Sequence, residues 1–115
     1  MKGIRVLKNV RFKLIPLEML HMFYAVMKAA ALQRGTPTIT GAAFEGYPVG
    51  KVHDAGYAID VRVSDIEHPA QYASDIRKLL SAVSRHYAVL YGDLGHLDHI
   101  HIGFAWSYSS EAHGG

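Results

Sequence analysis

Two stretches of this chain alternate residue by residue, and both carry ionisable side chains on the polar face. In Gly56–Val63, Tyr57, Ile59, Val61 and Val63 fall on one side, and Ala58, Asp60 and Arg62 on the other. In Asp98–Trp106, Ile100, Ile102 and Phe104 fall on one side, and His99, His101 and Gly103 on the other. Strict alternation is the pattern of a strand with one buried face. A carboxylate in mid-strand is costly unless something binds it, because burial penalises an unpaired charge and strands disfavour aspartate. The two patterns together predict a sheet whose aliphatic face meets a core and whose open face carries Asp60, His99 and His101.

The remaining segments supply the scaffold. Residues 1–15 fit either an extended segment or a packed arm. Pro16 suits a first helical turn and Glu18 suits the positive end of the helix dipole. The helix is expected to run to about Gln33–Arg34, with Gly35 as the stop. It is apolar nearly all round, which predicts a central position against the sheet. Thr36–Thr40 has strand character, and Gly41–Gly50 reads as a loop because Gly41, Gly46, Pro48 and Gly50 break any period. Ser64–His68 turns the chain, and Pro69 opens a second helix to about Arg85, with Tyr72, Ala73, Ile76, Leu79, Leu80 and Val83 on its apolar stripe. Tyr87–Tyr91 is a strand, and Gly92–Leu97 a turn before the last strand. This order predicts an α+β fold with a mainly antiparallel sheet and helices packed on one face. One domain is expected over residues 1–106, with a small polar tail over 107–115.

Bulk properties narrow the function. The chain has 115 residues, half of them hydrophobic, enough for one core and too few for two. A formal charge of +2 is too mild to argue for nucleic acid or a membrane surface. The absence of cysteine excludes disulfides, thiolate ligands and a thiol nucleophile. The basic N-terminus lacks the apolar core of a signal peptide. Leu17–Leu32 is interrupted by Glu18, His21 and Lys28, and it falls short of the roughly 20 apolar residues of a membrane span. A monomer is expected. Eight histidines are many for this length, and three of them, His96, His99 and His101, stand close together.

Imidazole nitrogens with a carboxylate oxygen and no sulfur suit Zn²⁺, and three such ligands leave a fourth position for water. Asp60, His99 and His101 come from the strands. His53 stands just before the first strand, where a loop can fold it over the sheet. Asp98, three residues before His101, is available to shuttle a proton. Strict alternation would turn it away, but it stands at the strand's start.

His53-x-x-Gly56-x-Ala58-x-Asp60, followed by Asp98-His99-x-His101, resembles the zinc peptidases of the LAS group. That group includes lysostaphin-type endopeptidases, D-alanyl-D-alanine peptidases and the hedgehog signalling domain. The likeness is greatest to the D-Ala-D-Ala carboxypeptidase/VanY-like branch, which includes phage L-alanyl-D-glutamate endolysins. The resemblance implies a hedgehog/DD-peptidase-like fold with zinc on His53, Asp60 and His101. It implies Asp98 as general base, where the group usually has glutamate, and His99 as the histidine that steadies the oxyanion. It implies as substrate a peptide bond in peptidoglycan stems or cross-links. Lys51 stands where the group often has serine, and no arginine lies between Gly35 and Lys51, so Lys51 and Arg62 are the candidates for gripping substrate. A chain without signal peptide or wall-binding domain is expected to be a phage-type lytic enzyme, made in the cytoplasm and acting at the wall after release, or virion-associated.

Other ionisable residues have simpler expectations. His21 reads as a core histidine, His96 as a solvated turn residue, and Asp54, His68 and His113 as surface residues. Glu45-Gly46 shapes a loop over the cleft, and Tyr57 belongs to the core. Two rival functions are a non-catalytic, metal-stabilised binding module of the same fold and a mononuclear iron oxygenase. The seven-residue gap from His53 to Asp60 and the two helices argue against the oxygenase.

Overall fold

A computed structural model describes residues 3–12, 15–45, 56–92 and 98–105. The elements in order are β1 (Arg5–Val6), α1 (Leu17–Ala31), β2 (Thr38–Glu45), β3 (Gly56–Arg62), α2 (Pro69–Ser81), β4 (Tyr87–Leu90) and β5 (His99–Ala105). They form an α+β fold with one five-stranded sheet in the order β1-β2-β3-β5-β4.

The sheet is mixed, not mainly antiparallel as expected. β2–β3, β3–β5 and β4–β5 are antiparallel, but β1 joins β2 in parallel. The physical reason is connectivity: α1 lies between β1 and β2 in the chain, and a helical crossover returns a strand in the same direction. The ambiguous N-terminal segment is therefore, in part, an edge strand.

Both helices and one face of the sheet build a single core. Met19, Met22, Val26 and Ala29 of α1, Tyr72, Ile76 and Leu80 of α2, and Ile59, Val61, Ile100 and Ile102 of the sheet belong to one buried cluster. The aliphatic residues of β3 and β5 are thus buried as the alternation predicted. The Tyr87 hydroxyl donates to the Glu18 carbonyl at 2.7 Å, tying β4 to the first turn of α1. Its burial, and then the neighbouring Glu18, push its pKa up.

Three boundaries differ from expectation. Gly41–Glu45 continues β2 and is not a loop. A bulge between Ile39 and Gly41 absorbs the break in pattern, which is how a strand accommodates an extra residue and a glycine. α2 ends at Ser81, not near Arg85, and Val83 is exposed. Past the helix, the Ser84 hydroxyl accepts the His86 N–H at 3.1 Å, a local bond that competes with further helix. α1 is not surrounded by core. One stripe is buried, while Leu17, Leu20, Tyr24 and Leu32 are exposed, and His21 is half-buried. Residues 46–55, 93–97 and the tail 107–115 lie outside the described residues, and with them Lys51, His53, Asp54, Gly46, His96 and His113. No described helix is long and apolar enough to cross a membrane.

Candidate functional site

Asp60 and His101 are direct cross-strand partners on β3 and β5, and so are Arg62 and His99. Antiparallel partners project from one face. Their neighbours Ile59, Val61, Ile100 and Ile102 are 0–1% exposed, so the four polar residues lie on the face away from the core. The antiparallel register of the two strands thus does what the separate patterns could only suggest.

The side chains form a connected series. His101 Nδ1 lies 3.0 Å from Asp60 Oδ1. An ionised carboxylate only accepts, so the imidazole donates. His99 Nε2 lies 3.8 Å from the same oxygen, an ion-pair separation. His99 Nδ1 lies 2.8 Å from Asp98 Oδ1. Carboxylate and imidazole therefore alternate from Asp98 through His99 and Asp60 to His101. A carboxylate on Nδ1 fixes the orientation of an imidazole ring, and here it turns Nε2 of His99 towards Asp60.

Asp98 is 92% exposed and sits ahead of β5, where the pleat does not constrain it. Its hydrogen bond to His99 holds its pKa below the ordinary carboxylate value, helped by its own backbone and by the charge of His99. A depressed carboxyl pKa contributes stability that is present above the unfolded-state value and lost as pH falls through the folded one. Replacing His99 with alanine is expected to raise the Asp98 titration midpoint towards the ordinary range, followed by carboxyl-carbon NMR in the metal-free protein. An unmoved midpoint would refute the assignment to His99.

Two depressions adjoin the series, and Asp60 lines both. One, of about 350 Å³, is lined by Thr40, Asp60, Arg62, Ser64, Asp98 and His99. The other, of about 130 Å³, has Gly41, Ala43, Ala58, Asp60 and His101 among its walls. Arg62 is held by Asp65, with Nη2 3.2 Å from Oδ2, and Tyr57 packs against the core with its ring edge-on to Phe44.

Gly41 is the position beside Asp60 that sequence reasoning missed. The bulge sets it opposite Asp60, and a Cβ there would stand 3.2 Å from Asp60 Oδ2. The missing side chain is what lets the carboxylate lie where it does. The only signal was a glycine immediately after a strand-like TIT, and a glycine in a strand often marks close approach.

Two atoms bound at about 2.0–2.1 Å to a tetrahedral Zn²⁺ stand about 3.3 Å apart. Asp60 Oδ1 and His101 Nδ1, at 3.0 Å, would come near two such positions once Nδ1 gives up the proton it donates in that hydrogen bond. Among the described residues no group of three His, Cys, Asp or Glu could hold a metal ion. The third predicted ligand, His53, lies outside them.

Fold and site together define an α+β domain with a carboxylate–imidazole cluster on the open face of its sheet. No protein-family model matches this chain, and no curated protein or solved structure matches it.

Proposed function

We propose that this chain is a zinc-dependent peptidase that hydrolyses a peptide bond in peptidoglycan stems or cross-links. The observation that carries the reading is the meeting of Asp60 and His101 on one oxygen–nitrogen contact, with His99 and Asp98 beside a depression large enough for a peptide segment. Asp60 and His101, with His53, would hold the metal. When bound, zinc supplies Lewis acidity and lowers the pKa of a bound water. Asp98 accepts the proton of the attacking water and returns it to the leaving amine. His99, oriented by Asp98, presents Nε2 as donor to the oxyanion. Lys51 and Arg62 are the cations proposed to grip substrate.

Metal content and cleavage test the reading together. Purified wall is incubated with wild type, Asp98→Ala and His101→Ala, and new amino termini are counted. Wild type is expected to release them. Asp98→Ala should retain metal and lose about 10²–10⁴-fold in rate, the range for a general acid–base group. Zinc bound by wild type without any cleavage would replace the peptidase with the metal-stabilised binding module. The exposure of Asp98 is the one feature that favours that alternative.

Gly41→Ala probes the same pocket by crowding. The added methyl forces Asp60 to yield by a few tenths of an ångström. Zinc affinity, measured by chelator competition, is expected to fall about tenfold, as when a ligand's support is disturbed. Stability should change by less than about 1 kcal/mol. Wild-type affinity in this variant would remove Gly41 from the site.

A further inference from the structure

The two helices pack against each other, yet they present different surfaces. α2 shows a polar face, with Gln71 and Lys78 exposed and the Gln71 amide donating to Asp75 at 2.8 Å. α1 shows an apolar one. Leu17, Leu20 and Tyr24 are 63%, 48% and 56% exposed. Their spacings of three and four put them on one stripe, while Met19, Met22, Val26 and Ala29 are buried on the opposite side. Lys28 continues the stripe, with Nζ 6.0 Å from the centre of the Tyr24 ring.

The mild net charge of the chain hides its division. Residues 1–44 hold seven of the twelve lysines and arginines but one of the ten acids, Glu18. The rest of the chain has five bases against nine acids. The fold brings part of the basic excess to α1. The Phe12 ring meets Phe23 edge-on, with 5.7 Å between centres, so the N-terminal segment runs beside the helix. Just ahead of Phe12, Arg11 donates to the Lys8 carbonyl at 2.6 Å. Lys8, Arg11 and Lys28 are all exposed.

We propose that the outer face of α1 docks on an anionic phospholipid surface without crossing it, through Leu17, Leu20 and Tyr24 with Lys8, Arg11 and Lys28 around them. An interfacial helix needs apolar side chains for the acyl boundary and cations for anionic headgroups. A tyrosine ring suits the headgroup level, and a lysine stem lies along apolar surface while its ammonium reaches water. A polyanion would use the cations and leave the leucines idle. A second copy of the chain would bring one cationic rim against another. A bilayer uses both parts. The helices cover one face of the sheet and Asp60 and His101 lie on the other, so docking leaves that face open. No turnover enters this claim, and it stands or falls apart from the peptidase reading.

The test sediments the metal-free full chain with vesicles of phosphatidylcholine alone and of phosphatidylcholine with phosphatidylglycerol. Binding is expected to the anionic vesicles at low salt, to fall as salt rises, and to be absent on the neutral ones. Leu20→Gln with Tyr24→Gln keeps a good helix former at both positions and should weaken binding at least about tenfold. Lys8→Ala with Arg11→Ala should weaken it by about tenfold or more, since each cation at an anionic surface contributes about fivefold. Lys78→Ala, on the polar face of α2, is the control and should bind as wild type. No binding to either vesicle, equal binding to both, wild-type binding by the glutamine variant, or an equal loss in Lys78→Ala would each overturn the proposal. Binding of polyphosphate as tight as that of the anionic vesicles and indifferent to the glutamines would give the face to a polyanion instead. A dimer in sedimentation velocity that the glutamines dissociate would give it to a second copy.

Discussion

Asp60→Ala and His101→Ala are each expected to strip zinc from the protein and to end wall-peptide cleavage. The expectation rests on the 3.0 Å contact between Asp60 Oδ1 and His101 Nδ1. Each replacement removes one ligand atom of a proposed set of three, and the remaining pair cannot close a catalytic site. Loss of an outer partner costs roughly 10–100-fold in metal affinity or activity, and loss of a ligand should exceed that. Neither side chain belongs to the buried core cluster, so the fold should persist and the loss should be functional. Far-ultraviolet dichroism, zinc content by mass spectrometry and release of amino termini separate these effects. Full zinc occupancy in either variant would end the metal assignment. A correctly folded variant that cleaved at wild-type rate would end the peptidase.

Gly35→Ala is expected to have the largest effect on stability. Gly35 has φ of 151°, a conformation that residues with a side chain rarely adopt. A Cβ there would stand 2.6 Å from both the Asp65 carbonyl oxygen and Ile66 Cδ1. The backbone conformation alone costs on the order of 1–3 kcal/mol, and a clash with backbone cannot be relieved by a rotamer change. The neighbourhood is firmly tied. Gly35 bridges to Ile66, the Glu67 N–H donates to the Arg34 carbonyl, and Gln33 both accepts from His68 N–H and donates to His68 O. The expected loss is about 3 kcal/mol or more, read as a lowered urea midpoint. A shift under about 0.5 kcal/mol, typical of a bland surface site, would show that this junction yields easily. Asp65 belongs to the junction, so the variant should also disturb Arg62.

The site was legible to the extent that its residues sit in regular strands. Asp60, His99 and His101 declared themselves because alternation left them on the polar side of otherwise aliphatic strands. Asp98 was ambiguous, since a residue at a strand's edge escapes the pleat. Its bond to His99 is a matter of side-chain rotation. Gly41 was misread as the start of a loop, because a bulge conserves strand pairing while breaking the local pattern. Arg62 was read as a candidate for gripping substrate, and its partner Asp65 was not foreseen, because Asp65 lies in the turn beyond β3, where no period assigns direction.

Local chemistry in the sequence determined the two helices, the strands Gly56–Arg62 and His99–Ala105, and which of their residues face a core. Those properties depend on neighbours two to four residues away, and periodicity records them. Tertiary structure alone decided that β1 pairs in parallel, that β3 and β5 lie in the register that sets Asp60 against His101, and that Gly41 makes room for the carboxylate. Each of these joins groups far apart in the chain, and their meeting is fixed by the packing of the whole sheet, which no local pattern encodes.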